Sequence, residues 1–100
     1  MSTSVQADAE PRAVRVSVTD RSLVVDLVDG RTVSVPLDWF PRLRHGTTAE
    51  RDRWELLAGG AGIRWPDLDE DLSVRGLLSG GPSRESPASL RGWLNSRHPA

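Results

Sequence analysis

Leu23-Val-Val-Asp-Leu-Val-Asp-Gly-Arg-Thr-Val-Ser-Val-Pro-Leu37 is two apolar-alternating runs joined at Asp29-Gly30, and it decides the fold. Asp-Gly between alternating runs is a strong local hairpin signal. A two-residue loop would set Val25 opposite Ser34 and Asp26 opposite Val33. A three-residue loop of Val28, Asp29 and Gly30 sets Leu27 opposite Arg31, Val25 opposite Val33 and Leu23 opposite Val35. Only the second puts apolar side chains on one face of both strands, and register follows that pattern. The expected turn is type I with Gly30 left-handed in a bulge, a conformation glycine accepts cheaply. Upstream, Ala13 to Val18 alternates with Val14, Val16 and Val18 on one face. Across the Asp20-Arg21-Ser22 turn, this makes a three-stranded antiparallel meander with one apolar face.

That face needs a cover. Leu37-Asp38-Trp39-Phe40-Pro41-Arg42-Leu43 reads as a compact apolar turn at a sheet edge. Thr47-Thr48-Ala49-Glu50 matches a capping box and predicts a helix to about Leu57, with Glu50, Trp54, Leu57 and Ala58 along one stripe. Gly59-Gly60-Ala61-Gly62 would end it, and Trp54 would plug the sheet. Gly62 to Trp65 is a short strand that Pro66 stops, expected at an edge. Ser73 caps a short helix over Val74 to Leu78 with Leu77 and Leu78 turned inward. Residues 80–87 read as a linker. Ser86-Pro87 then resembles an N-cap with proline at the first helical position, opening a C-terminal helix over 88–98 with the stripe Leu90, Trp93, Leu94 and Arg97. The organisation expected is a leader over 1–12, an α+β domain over 13–79, the linker and the terminal helix. Its class is α+β: a small antiparallel meander sheet covered by one main helix, plus a short helix and a C-terminal amphipathic helix. The core expected is Val14, Val16, Val25, Val33, Val35, Trp39, Trp54, Leu57, Trp65 and Leu77.

One hundred residues suffice for one core. A formal charge of −1 and a pI near 6.1 exclude a dominant electrostatic grip on nucleic acid or anionic lipid. No cysteine is present, which excludes disulfides, thiolate metal sites and a cysteine nucleophile. All 13 basic residues are arginine. Spread along the chain among 14 acids, they read as codon pressure rather than a guanidinium surface for phosphates. No apolar run approaches the roughly 18 residues of a membrane helix. The N-terminal stretch to Pro11 lacks a basic region followed by an apolar one, so no signal peptide is expected and the cytoplasm is the default compartment.

Catalytic signals are weak. Asp67, Asp69 and Asp71 have the spacing of the first half of a calcium loop, but Leu72 stands where the sharp turn needs glycine and Leu78 where the bidentate acid belongs. The glycines at 59–62 follow a helical pattern rather than open one, unlike a phosphate loop. His45 and His98 sit in polar surroundings, too few for a zinc site without thiolates. Nothing resembles a nucleophile elbow. The expectation is therefore a chain that is not an enzyme and takes no cofactor or metal. Trp93 stands apart, since a helix behind a linker with a central Trp and flanking Arg has the shape of a groove-binding anchor. The alternative is that this helix folds back on its own domain. The partner-binding candidates are Asp67, Asp69, Glu70, Asp71, Leu90, Trp93, Leu94 and Arg97.

The ordered series Asp29-Gly30, Trp39-Phe40-Pro41-Arg42-Leu43, Thr48-Ala49-Glu50-Arg51, Trp54-Glu55-Leu56, Gly62-Ile63-Arg64-Trp65-Pro66-Asp67-Leu68-Asp69-Glu70-Asp71 and Leu77-Leu78 resembles the bacterial domain of unknown function 2442 family. That fold is similar to the N-terminal domain of a small Nitrosomonas protein of α+β type. The resemblance covers about Val14 to Leu78, and Glu85-Ser86 with Ser89 to Arg97 is similar to a tail many members carry. Arg64 departs from the His expected before Trp65. The resemblance implies a small basic partner encoded nearby, of the domain of unknown function 4160 family, in a pairing that looks like a toxin–antitoxin module. It implies no catalytic residue. The expected function is a cytoplasmic protein-interaction domain, antitoxin-like, holding that partner through its acidic edge and C-terminal helix. One alternative is a DNA-binding autoregulator, against which stands the missing basic face. The other is a small hydrolase using Asp67, Asp69 or Asp71 with a divalent ion. Exposed strand edges also leave room for a homo-oligomer.

Overall fold

A computed structural model describes residues 10–97. The leader expected at 1–12 lies, up to residue 9, outside the described residues, as does His98.

The hairpin has the register its apolar pattern demands. Strands β1 (Ala13–Val18), β2 (Ser22–Leu27) and β3 (Thr32–Pro36) form an antiparallel meander in that order. Leu23 pairs with Val35 and Val25 with Val33, and Leu27 N–H donates to the Arg31 carbonyl at 2.8 Å. Gly30 closes the loop at φ +95°, donating to the Leu27 carbonyl. Leu23, Val25 and Leu27 are buried on one face, as a period of two requires.

The first strand breaks that period. Ala13 pairs with Leu27 and Arg15 with Asp26, so Val14 is an extra residue with no partner in the ladder. The bulge shifts the alternation by one position. Ala13 and Val16 then point inward, and Val14, expected in the core, stands 53% exposed.

The polypeptide next turns over the apolar face. A single 3-10 turn at Leu37–Trp39 leads to α1 (Pro41–Arg44), which seats Leu37, Phe40 and Leu43 in the core. Helix α2 (Thr48–Asp52) begins with the capping box the sequence predicts: Thr47 Oγ1 accepts from Glu50 N–H, and Glu50 Oε1 accepts from Thr47 N–H.

Beyond α2 the fold departs from expectation. The helix stops at Asp52 instead of reaching Leu57, and a second antiparallel sheet follows. It comprises β4 (Glu55–Leu57), β5 (Gly62–Trp65) and β6 (Glu70–Ser73), with β5 in the middle rather than at an edge. Pro66 does not demote β5, because it lies just past the strand and starts the 3-10 turn Pro66–Leu68. Glu55-Leu56-Leu57 fits either period. Pairing with Arg64, Ile63 and Gly62 decides it. Leu56 then packs on the core, while Leu57 is 38% exposed and Trp54 only half-buried.

The glycines at 59–62 turn this hairpin rather than end a helix. Gly60 has φ +105°, and a Cβ there would lie 2.5 Å from the Ala13 carbonyl oxygen, so only glycine lets the second sheet approach β1. Helix α3 (Val74–Leu78), capped by Ser73 as expected, buries Val74 and Leu77. Leu78, one position further round, faces outward. Val33 and Trp39 sit at the rim of the core, whereas Val16, Val25, Val35, Trp65 and Leu77 are inside it. The class is α+β, with the apolar face covered by α1, short α2 and the second sheet in place of one main helix.

Trp65 is the plug that Trp54 was expected to be. Its ring is fully enclosed, and its Nε1–H donates to the Arg51 carbonyl at 3.0 Å. Trp65→Ala is expected to cost about 3–5 kcal/mol in denaturant unfolding, and Trp54→Ala clearly less.

Candidate functional site: a terminal helix clamped by two ion pairs

Helix α4 (Pro87–Arg97) starts as the sequence predicts, with Ser86 Oγ accepting from Ser89 N–H. Leu90, Trp93, Leu94 and Arg97 are its half-buried residues, and none of its residues is fully buried. The stripe faces its own domain, and Trp93 packs against the core cluster. Segment 79–86 is pinned on the way, with Ser83 N–H donating to the Trp39 carbonyl at 2.9 Å.

Two ion pairs hold the ends of this segment. At the near end, the Arg42 guanidinium of α1 grips Glu85 through Nε and Nη2, with Nε at 2.9 Å from Oε1. Its remaining Nη1 donates to the Asp69 carbonyl at 3.2 Å. At the far end, Arg97 donates to both carboxylate oxygens of Glu50, at 2.8 and 3.1 Å. Trp93 lies between the clamps, with the Arg42 Cζ 5.0 Å and the Arg97 Cζ 4.7 Å from the ring. Guanidiniums over an indole face add cation–π attraction, and their carboxylate partners keep them there. One donor is left over: Arg97 Nε–H is enclosed without an acceptor among the described residues.

The electrostatics follow the contacts. The bond from Arg42 lowers the Glu85 carboxyl from its ordinary range, and the same bond raises Arg42. Glu50 is lowered to about 2, first by the Arg97 bond and then by the Thr47 amide. Glu70 goes the other way. Half-buried on β6, it is pushed up to about 7 mainly by lost hydration, against the pull of Arg42 and with Glu85, Asp71 and Asp69 adding repulsion.

The acidic candidates are less available than the sequence suggests. Asp67 pairs with Arg53 at 3.1 Å, Asp69 with Arg42 at 3.5 Å and Asp71 with Arg64 at 2.9 Å. Arg64, which stands where His was expected, is directly opposite Asp71 across β5 and β6. Glu70 and Asp71 belong to a strand and not to an acidic loop feeding a helix. Among the described residues, no three His, Asp or Glu side chains converge as a metal site, and no helix is long and apolar enough to cross a membrane.

Sequence reasoning placed Trp93 and Arg97 but missed Arg42, Glu50 and Glu85. All three lie in motifs that carry the resemblance, yet their pairing spans 43 and 47 residues. Spacing along one chain does not reveal contacts of that range.

A helix strapped across a two-sheet α+β unit describes a class of small domain, and the comparisons place it. The chain belongs to the family described as protein of unknown function (DUF2442), whose sequence model matches residues 13–83. The match ends before α4. A crystal structure of a protein of unknown function from Rhodospirillum rubrum is similar at 30% identity and a TM-score of 0.65, covering 80% of this chain and 96% of that one. A solution structure of an uncharacterized protein from Chromobacterium violaceum shares the fold at 23% identity and a TM-score of 0.61, covering 88% and 76%. No match was found among proteins with curated descriptions.

The Glu50 clamp has a defined acid limit. Arg97 is the larger of the contacts that lower this carboxyl from 4.5 to about 2, with the Thr47 amide of the α2 cap second, so the clamp's contribution is full above pH 4.5 and is lost as pH falls through about 2. Wild type should lose α4 helicity within that window by circular dichroism, and Glu50→Gln should be weakened already at neutral pH with a flatter acid profile.

Proposed function

We propose that this chain is a non-enzymatic, cytoplasmic protein-interaction domain, antitoxin-like in role, that grips a small basic partner encoded beside it. The observation that carries this reading is the attachment of α4. The helix is held by two ion pairs and a half-exposed Trp93, without one fully buried residue, and it lies outside the segment that the family model matches. A helix so mounted can exchange its own groove for a partner's, presenting Leu90, Trp93, Leu94 and Arg97 as anchors. The acids fit the same role. Asp69 and Asp71 are more than half exposed, and such surface pairs are worth only about 0–1 kcal/mol, so a partner's cations can replace Arg42 or Arg64 at little cost.

Co-expression with the neighbouring basic protein should yield a complex. Trp93→Ala should weaken it about thirtyfold, the effect of losing an interface anchor worth ~2 kcal/mol. Failure of the two proteins to co-purify would remove the reading. Retardation of promoter DNA with a steep loss of affinity as salt rises would replace it by a DNA-binding autoregulator.

A further inference from the structure

The terminal segment is joined to the domain through one short turn. At the end of α3, Gly80 takes φ +82° and donates to the Leu77 carbonyl at 3.2 Å, and Gly81 N–H reaches back to the Gly76 carbonyl at 3.0 Å. The turn reverses the chain, so that Ser83 meets the Trp39 carbonyl and Glu85 meets Arg42. Residues 79–82 are all exposed, and a Cβ on Gly80 would meet nothing within 4 Å. The turn therefore sets a direction without adding packing. The contacts beyond it are enclosed. The Arg42 and Glu85 side chains are only 15% and 12% exposed, and those of Arg97 and Glu50 18% and 22%.

We infer that the groove of one copy takes residues 83–97 of a second copy, giving a reciprocal dimer in which the turn at 79–82 opens as the hinge. Complementarity fixes the occupant. The groove offers Arg42 to a carboxylate at one end and Glu50 to a guanidinium at the other, with a place for an indole between them. The same segment of another copy supplies Glu85, Trp93 and Arg97 at the same spacing. Exchange of an identical element recreates each of these contacts and changes only the hinge. Extended, the four residues 79–82 span roughly 13 Å at about 3.3 Å each, which carries the segment to a domain set alongside. Opening is accessible because none of the α4 residues is fully buried. With the contacts equal within and between copies, local concentration decides between them, and a short linker holds it at about millimolar. The chain is therefore a monomer at micromolar concentration and exchanges as the millimolar range is approached. This exchange needs no other protein and is independent of the proposed binding role.

Reversing the near clamp in two separate chains tests the exchange. Arg42→Glu sets two carboxylates together within one chain, and Glu85→Arg sets two guanidiniums together, so neither segment closes on its own domain. In a mixture, each groove finds its complement only on the other chain. Sedimentation equilibrium at about 100 μM, below the millimolar local concentration, should show each variant alone as a monomer and the equimolar mixture as a dimer of one of each. Amide protection of α4 should return in the mixture only. Gly80→Val strains the left-handed closed turn and leaves an extended hinge unstrained. It should dimerise at about thirtyfold lower concentration than wild type, because each dimer relieves two turns. The exchange is overturned by a mixture that stays monomeric while both variants keep wild-type β2 protection, or by a dimer formed by Arg42→Glu alone. It is overturned equally by Gly80→Val dimerising no more readily than wild type. Co-purification with the neighbouring basic protein bears on none of these readings, so the two ideas fail separately.

Discussion

The indole of Trp65 must bury a large ring and still find an acceptor for its N–H, and the fold turns on how it does so. A buried donor left unpaired costs on the order of 1–3 kcal/mol. The acceptor is the Arg51 carbonyl, 3.0 Å away at the end of α2. In a longer helix that oxygen would accept from the amide four residues on, at Glu55. Stopping α2 at Asp52 leaves the carbonyl open for Trp65 and releases Glu55 to Leu57 to form β4. One hydrogen bond thus ties the helix stop, the second sheet and the largest buried side chain together. Arg51 reinforces the corner from its other end, donating to the Leu43 and Arg44 carbonyls where α1 finishes.

On that corner the terminal segment is mounted with polar contacts. The core elements bury Leu, Val, Phe and Trp side chains, whereas α4 brings half-buried residues to charged partners. Apolar burial is hard to undo and insensitive to pH. Ion pairs at partial exposure are sensitive to both salt and protons. The molecule therefore combines a stable frame with one element whose attachment is adjustable. Glu50 links the two, serving at once as the capping acid of α2 and the anchor of Arg97. Loss of the far clamp also disturbs a helix end inside the frame.

Much of the first sheet was legible. The hairpin register, the Gly30 bulge, the three helix N-caps at Thr47, Ser73 and Ser86 and the α4 stripe follow from local patterns with a definite physical meaning. The second sheet was not, because Trp54 to Leu57 fits a helical stripe and a strand equally well. Tertiary pairing with Ile63 decided between them. The same limit hid the bulge at Val14, where alternating valines gave no sign that the ladder skips a residue. At the candidate site, the residues that touch solvent were readable and the ones that hold them were not. Arg42, Glu50 and Glu85 act through contacts across the fold, and charges in a sequence this rich in arginine and acid have many conceivable partners.

The skipped residue at Val14 has a consequence for how copies of this chain behave when crowded. A sheet whose outer strand is flat and regular invites a neighbour's strand to zip onto it, and stacking can then propagate toward fibrils. With Val14 pushed out of line, the border of β1 is kinked and cannot offer an unbroken row of amides and carbonyls. The irregularity that costs the core one valine thereby blunts the template for aggregation.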